Sequence, residues 1–78
     1  MSVSIRFLGT AAFEIIAEGG QRLLIDPYLD ENPVSPLKVA DLDHVDLLLV
    51  THAAIDHLGD AEAILRRFPD LALICGAD

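Results

Sequence analysis

The residues able to do chemistry are concentrated in one stretch, "VTHAAIDHLGD", from Val50 to Asp60. It holds His52, Asp56 and His57, two imidazoles and a carboxylate in close succession. Neutral imidazole and carboxylate are good ligands for Zn²⁺ and related divalent ions. In a loop the three groups can converge on one ion. On a continuous helix they cannot: His52 and Asp56 share a face, but His57 lies about 100° further round. The plainer alternative is a polar loop whose side chains cap the following helix, because short His/Asp patterns arise by chance.

The flanking sequence supplies elements that would position such a loop. "VSIRFL" alternates, with Val3, Ile5 and Phe7 on one side and Ser4 and Arg6 on the other, as in a strand exposed on one face. "AFEIIAE" and "QRLLID" are joined through Gly19-Gly20, which reads as a β-hairpin because glycine tolerates the positive φ of tight hairpin turns. Asp26-Pro27 ends that third strand. The segment "PYLDENPVSPLK", with Pro27, Pro33 and Pro36, reads as a surface loop, and a helical turn capped by Asp41 can follow it. "DLLLV" reads as a short strand buried on both faces. "DAEAILRRF" is an amphipathic helix with Ala61, Ile64, Leu65 and Phe68 on one face, Asp60 as N-cap and Pro69 as its stop. "LALIC" is a second doubly buried strand, and Cys75 within it reads as a buried thiol in a reducing compartment. The expected class is α/β (α+β): an antiparallel meander followed by a βαβ unit with parallel strands. Ligands gather at the carboxyl ends of strands in such units, where Thr51 and His52 fall.

Composition bounds the function. The 78 residues suffice for one domain, and one cysteine excludes an internal disulfide. Thirteen acids against five bases give a formal charge of −8, which disfavours nucleic acid and anionic membrane as partners. At 53% hydrophobic the chain has enough apolar surface to fold. No apolar run approaches the roughly 20 residues of a membrane span, and Arg6 interrupts what would be a signal-peptide core. A soluble cytoplasmic protein is expected.

"VTHAAIDHLGD" resembles the T-H-x-H-x-D-H-x-G-D motif of the metallo-β-lactamase superfamily. With "LGTAAFEI", "LLIDPYL" and "VDLLLVTH" in order, the chain is similar, from Val3 to about Cys75, to the branch holding ascorbate-6-phosphate lactonases and related predicted metal-dependent hydrolases. The resemblance implies the N-terminal part of a four-layer αββα sandwich with a dinuclear site, commonly zinc, in some members manganese or iron. It implies His52 as a ligand of the first metal, Asp56 and His57 as ligands of the second, Asp56 also as the catalytic carboxylate, and Asp26 of "LIDP" in a supporting role. The implied chemistry is hydrolysis of a small-molecule ester, lactone, amide or phosphodiester by metal-activated water, the ions also polarising the scissile bond.

Two departures qualify that expectation. Ala54 stands where the family usually has His, and alanine cannot ligate. The family's later ligands, a third His, a bridging Asp and a last His, have no counterparts before Asp78. An intact member has roughly 200 residues or more, so residues 1–78 read as the N-terminal portion of one domain. With at most three ligands from one loop, the chain could hold an ion weakly but not fix a bridging hydroxide, and efficient catalysis by these residues alone is not expected. Two further readings stand beside the hydrolase: a non-catalytic binding or structural relic, motivated by Ala54, and a self-associating unit with Ile5, Phe7, Phe13 and Ile15 on an exposed sheet face.

Other titratable residues have plainer roles. His44, in "DLDHVD", reads as an exposed histidine in an acidic turn. Asp41, Asp43 and Asp46 do not make a calcium loop, because the glycine and the terminal glutamate are missing. Thr10 reads as a turn residue, and Arg66 and Arg67 as charges suited to a helix C-terminus.

Overall fold

Alternation at the N-terminus and paired apolar runs beyond it build a single five-stranded sheet. The computed structural model describes residues 2–51 and 54–75, apart from the side chain of Ile55. Strands β1 (Ser4–Gly9), β2 (Ala12–Ile16) and β3 (Arg22–Ile25) form the expected antiparallel meander. Strand β4 (Leu47–Val50) lies parallel to β3, and β5 (Ala72–Cys75) parallel to β4, so the order in space equals the order in sequence. Gly9 and Thr10 turn β1 into β2 with φ of +105° and +60°. In the β2–β3 hairpin Gly20 has φ +91°, and the Ala17 N–H donates to the Gln21 carbonyl at 2.9 Å.

Between β4 and β5 come α1 (Ile55–Leu58) and α2 (Ala61–Arg67). Helix α2 turns Ala61 and Ile64 onto one face of the sheet, where they join Leu24, Leu48 and Val50 in the core; Leu65 and Phe68 pack at its margin. Leu24, Leu48 and Ile64 are fully buried, and each such side chain contributes about 1.5–3 kcal/mol of transfer free energy. The proline-rich segment is irregular, as its composition dictates, but it is not loose. Buried Asn32 donates its amide to the carbonyls of Leu8 and Gly9 at 3.2 Å and of Tyr28 at 3.0 Å. Leu29, Ser35 and Leu37 are buried with it.

Three local expectations are corrected, and a fourth, Asp60 as N-cap, holds in position only. Residues 55–58 form a helical turn, not loop, because the Ala54 carbonyl accepts the N–H groups of both His57 and Leu58. Asp41 ends a 3-10 turn (Val39–Asp41), and its carboxylate reaches back to the Lys38 N–H. Asp60 occupies the N-cap of α2 without a side-chain capping bond. The two parallel strands are not doubly buried: β4 alternates buried and half-buried residues, and β5, including the Cys75 thiol, is exposed. For one sheet face the reason lies in the register; Leu73 and Cys75, beside Leu48 and Val50, are on the core side but belong to the edge strand. Ile5, Ile15, Leu23 and Leu47 are successive cross-strand neighbours, as are Phe7, Phe13, Ile25, Leu49 and Ile74. Both rows occupy the sheet face away from the core, and Ile5 and Phe7 are 67% and 58% exposed. No helix among the described residues is long and apolar enough to cross a membrane.

At the sheet end where β4 begins, His44 ties two segments together. Its Nε2 lies 3.0 Å from the carbonyl of Gly20 in the hairpin turn, and its Nδ1 2.8 Å from the Asp43 carboxylate. Both partners are acceptors only, so both bonds form together only when the ring is the doubly protonated imidazolium. The Gly20 bond and the Asp43 carboxylate accordingly raise the His44 pKa above its ordinary 6.5. Asp46 lies 3.9 Å from Nε2, Arg22 Nη1 donates to the same Asp43 oxygen that His44 uses, and Arg67 and Asp70 line the same cleft. A raised folded-state pKa contributes stability that is fully present below the unfolded value and lost as pH rises through the folded one. An NMR titration of the full-length protein should therefore place His44 above an unconstrained histidine. His44→Ala should abolish the part of the stability-versus-pH curve that falls across that range.

Candidate metal centre

Because β3 and β4 are parallel, their C-terminal ends meet at one edge of the sheet. There β3 gives way to Asp26, whose φ of +48° is left-handed, a conformation aspartate tolerates better than most residues. Asp26 is 2% exposed. Its Oδ1 accepts the Thr51 N–H at 2.7 Å, and its Oδ2 accepts the Thr51 hydroxyl at 2.7 Å. The Asp26 N–H donates in turn to the Leu49 carbonyl at 2.8 Å, extending the strand pairing to the site. Burial pushes the Asp26 pKa up, but the hydrogen bonds from His57 and from the Thr51 amide and hydroxyl outweigh it, and the carboxyl ends below its ordinary value.

His57 enters from α1. Its Nδ1 lies 2.8 Å from Asp26 Oδ2. An ionised carboxylate only accepts, so Nδ1 carries a proton toward Asp26; in the neutral ring that leaves the lone pair on Nε2, the tautomer required of an Nε2 metal ligand. Nε2 faces the Asp56 carboxylate, with Oδ1 3.8 Å away. Two ligand atoms of a tetrahedral zinc at 2.0–2.2 Å stand about 3.4 Å apart, so this pair needs only a small adjustment to share an ion. Asp56 is half-exposed where His57 is mostly covered, which leaves the pair open on the Asp56 side.

Of the residues singled out from the sequence, Asp26, Asp56 and His57 are thus brought together, while His52 lies outside the described residues. Among the described residues no three His, Cys, Asp or Glu side chains are grouped to hold a metal. Ala54 is exposed at the start of α1. Thr51 has a larger part than its sequence position suggested: through backbone and side chain it engages both carboxylate oxygens of Asp26. The available signal was a hydroxyl residue immediately beyond the buried strand.

A mixed sheet whose parallel strand ends carry this network has the architecture of the N-terminal part of a metallo-β-lactamase fold. The chain belongs to the beta-lactamase superfamily, whose domain model matches residues 21–78. It is 54% identical over 65 residues to a metal-dependent hydrolase of Pyrococcus furiosus, a match covering 83% of this chain and 28% of the relative. A metal-dependent hydrolase of Sulfolobus acidocaldarius is 43% identical over 75 residues, covering 95% of this chain and 33% of the relative. The chain therefore spans about a third or less of these curated relatives. Among solved structures, a metallo hydrolase from the hyperthermophilic archaeon Ignicoccus hospitalis superposes with a TM-score of 0.77 at 35% identity, over 91% of this chain and 30% of the other.

The Asp26–His57 bond makes a definite tautomer prediction. In Asp26→Asn, the amide oxygen is needed by the Thr51 N–H, so the amide NH₂ faces His57. The ring should then carry its proton on Nε2, visible in ¹⁵N spectra of the full-length protein, and divalent-ion affinity should fall about 10–100-fold.

Proposed function

We propose that the protein of which these residues form part is a metal-dependent hydrolase, with residues 1–78 forming the N-terminal portion of its domain. The observation carrying this reading is the Asp26–His57 hydrogen bond, which occupies Nδ1 and leaves Nε2 as the ring atom facing the Asp56 carboxylate. Asp56 and His57 would hold one divalent ion. His52 would serve a neighbouring position weakened by Ala54. Zinc suits the donor set, with manganese and iron as alternatives.

An ion held there would supply an activated water and polarise the scissile bond of a small-molecule ester, lactone or phosphodiester. The chain's own residues do the preparatory work. Asp26 fixes the His57 tautomer, Thr51 anchors Asp26, and Asp56 offers a half-exposed carboxylate to a water or substrate proton. The names of the relatives support metal dependence and hydrolysis; the bond cleaved and the metal rest on the chemistry of these residues.

The competing reading is a non-catalytic binding module or relic of the same fold, favoured by Ala54. That position is exposed, so a histidine there would have room. Self-association through the two exposed apolar rows is compatible with either reading, and sedimentation of the full-length protein would detect it.

Elemental analysis of the full-length protein should find a bound transition metal. His57→Ala should lose it and reduce hydrolysis across an ester, lactone and phosphodiester panel to background. Ala54→His should raise metal content. A metal-free wild type, with no activity change in His57→Ala, would sink the hydrolase reading and leave the relic.

A further inference from the structure

Asp60 stands where an N-cap belongs, and aspartate is a favoured cap, yet its carboxylate makes no capping bond to α2. One oxygen, Oδ2, instead accepts two backbone N–H groups from the other side of the site, those of Leu29 and Asp30, each at 2.8 Å. The Asp60 N–H donates to the Pro27 carbonyl at 2.9 Å. Three hydrogen bonds thus run from one residue to the segment that leaves Asp26.

Gly59 makes the approach possible. Its φ is +49°, and a Cβ there would lie 2.5 Å from the Pro27 carbonyl oxygen and 2.6 Å from the Tyr28 Cα. The two backbones are in contact, with no space for a side chain between them. Pro27 follows Asp26 directly, and Gly59 comes two residues after His57. The connections close into a ring: Asp26 to Pro27, across to Asp60, back through Gly59 and Leu58 to His57, and from its Nδ1 to Asp26 again. Pro27 has a ring-fixed φ and His57 and Leu58 are held in α1, so the contact at residues 59–60 constrains the histidine–carboxylate contact opposite it.

The geometry points to Asp60, with Gly59 beside it, as a positioning residue of the metal centre that sets the Asp26–His57 separation and with it the tautomer and direction of the His57 ring. The inference rests on the metal-centre reading for its purpose but not for its geometry. Charge-assisted bonds to one carboxylate oxygen are the strong kind. Leu29 is fully buried, so its amide has little recourse to water once the carboxylate is removed.

The test uses the full-length protein without metal and then with zinc. In the wild type, ¹⁵N spectra should show His57 protonated on Nδ1. Asp60→Ala should give mixed tautomers or a lost Nδ1–H signal, and a zinc Kd weakened about tenfold, the lower end of what outer-shell partners contribute. Asp60→Asn, whose amide oxygen can still accept both N–H groups, should restore the tautomer and bring the Kd back to within a few-fold. Should Asp60→Ala fail to fold, Asp60→Glu, which displaces the same carboxylate by one methylene, is read in the same way. An unchanged His57 tautomer in the folded Asp60 variant overturns the proposal, even if its melting temperature falls, because a merely structural residue would do that. If the wild type takes up no zinc, the metal-centre reading fails, while the ring spectra still decide the positioning role.

Discussion

The carboxylate of Asp26 is the point on which the functional edge depends. It is almost fully buried, yet every acceptor position the structure uses on it is met by a donor from a different part of the chain. Removing such a group from water is costly unless hydrogen bonds replace the lost hydration. The replacements come from Thr51, just beyond β4, and from His57 on α1. The site is thereby a condition on the fold: β4 must lie beside β3 in this register and α1 must cross their ends, or a buried charge is left unsatisfied.

That condition explains how the two halves of the sheet divide their roles. The antiparallel half is local, built from hairpins whose turns use Gly9 and Gly20. The parallel half gathers distant segments, and its stability comes from Ile64 and Ala61 pressed on Leu24 and Leu48. The proline-rich segment belongs to both. Asn32 fastens it to the end of β1, and Asp60 fastens its first residues to the start of α2.

The meander, the amphipathic helix and the parallel pair at the C-terminal side were legible because periodicity and glycine placement are local signals. Asp56 and His57 were legible as neighbours in one motif, and Asp26 of "LIDP" as a residue near them. The rest depended on who meets whom across the fold. Asp60 reads as a cap because the sequence shows its neighbours along the chain and not Leu29 and Asp30. The exposure of β5 and Cys75 was misjudged for a related reason: an apolar run states that burial is favourable, but not that a covering layer lies on both sides. Thr51 was noticed only by position, since nothing in one threonine announces two hydrogen bonds to an aspartate 25 residues earlier.

The distance in sequence between Asp26 and His57 has a consequence for assembly. Their bond spans 31 positions, so closing it brings β3 and α1 together across the intervening chain. The meander's contacts are short-range and cost little loop-closure entropy, whereas this edge carries the larger cost of joining distant segments. An ion recognised by His57 in its fixed tautomer would bind the finished sheet and not its precursors, and so would draw the equilibrium toward completion by mass action. Ligand capture and the closing step of folding would then be one event.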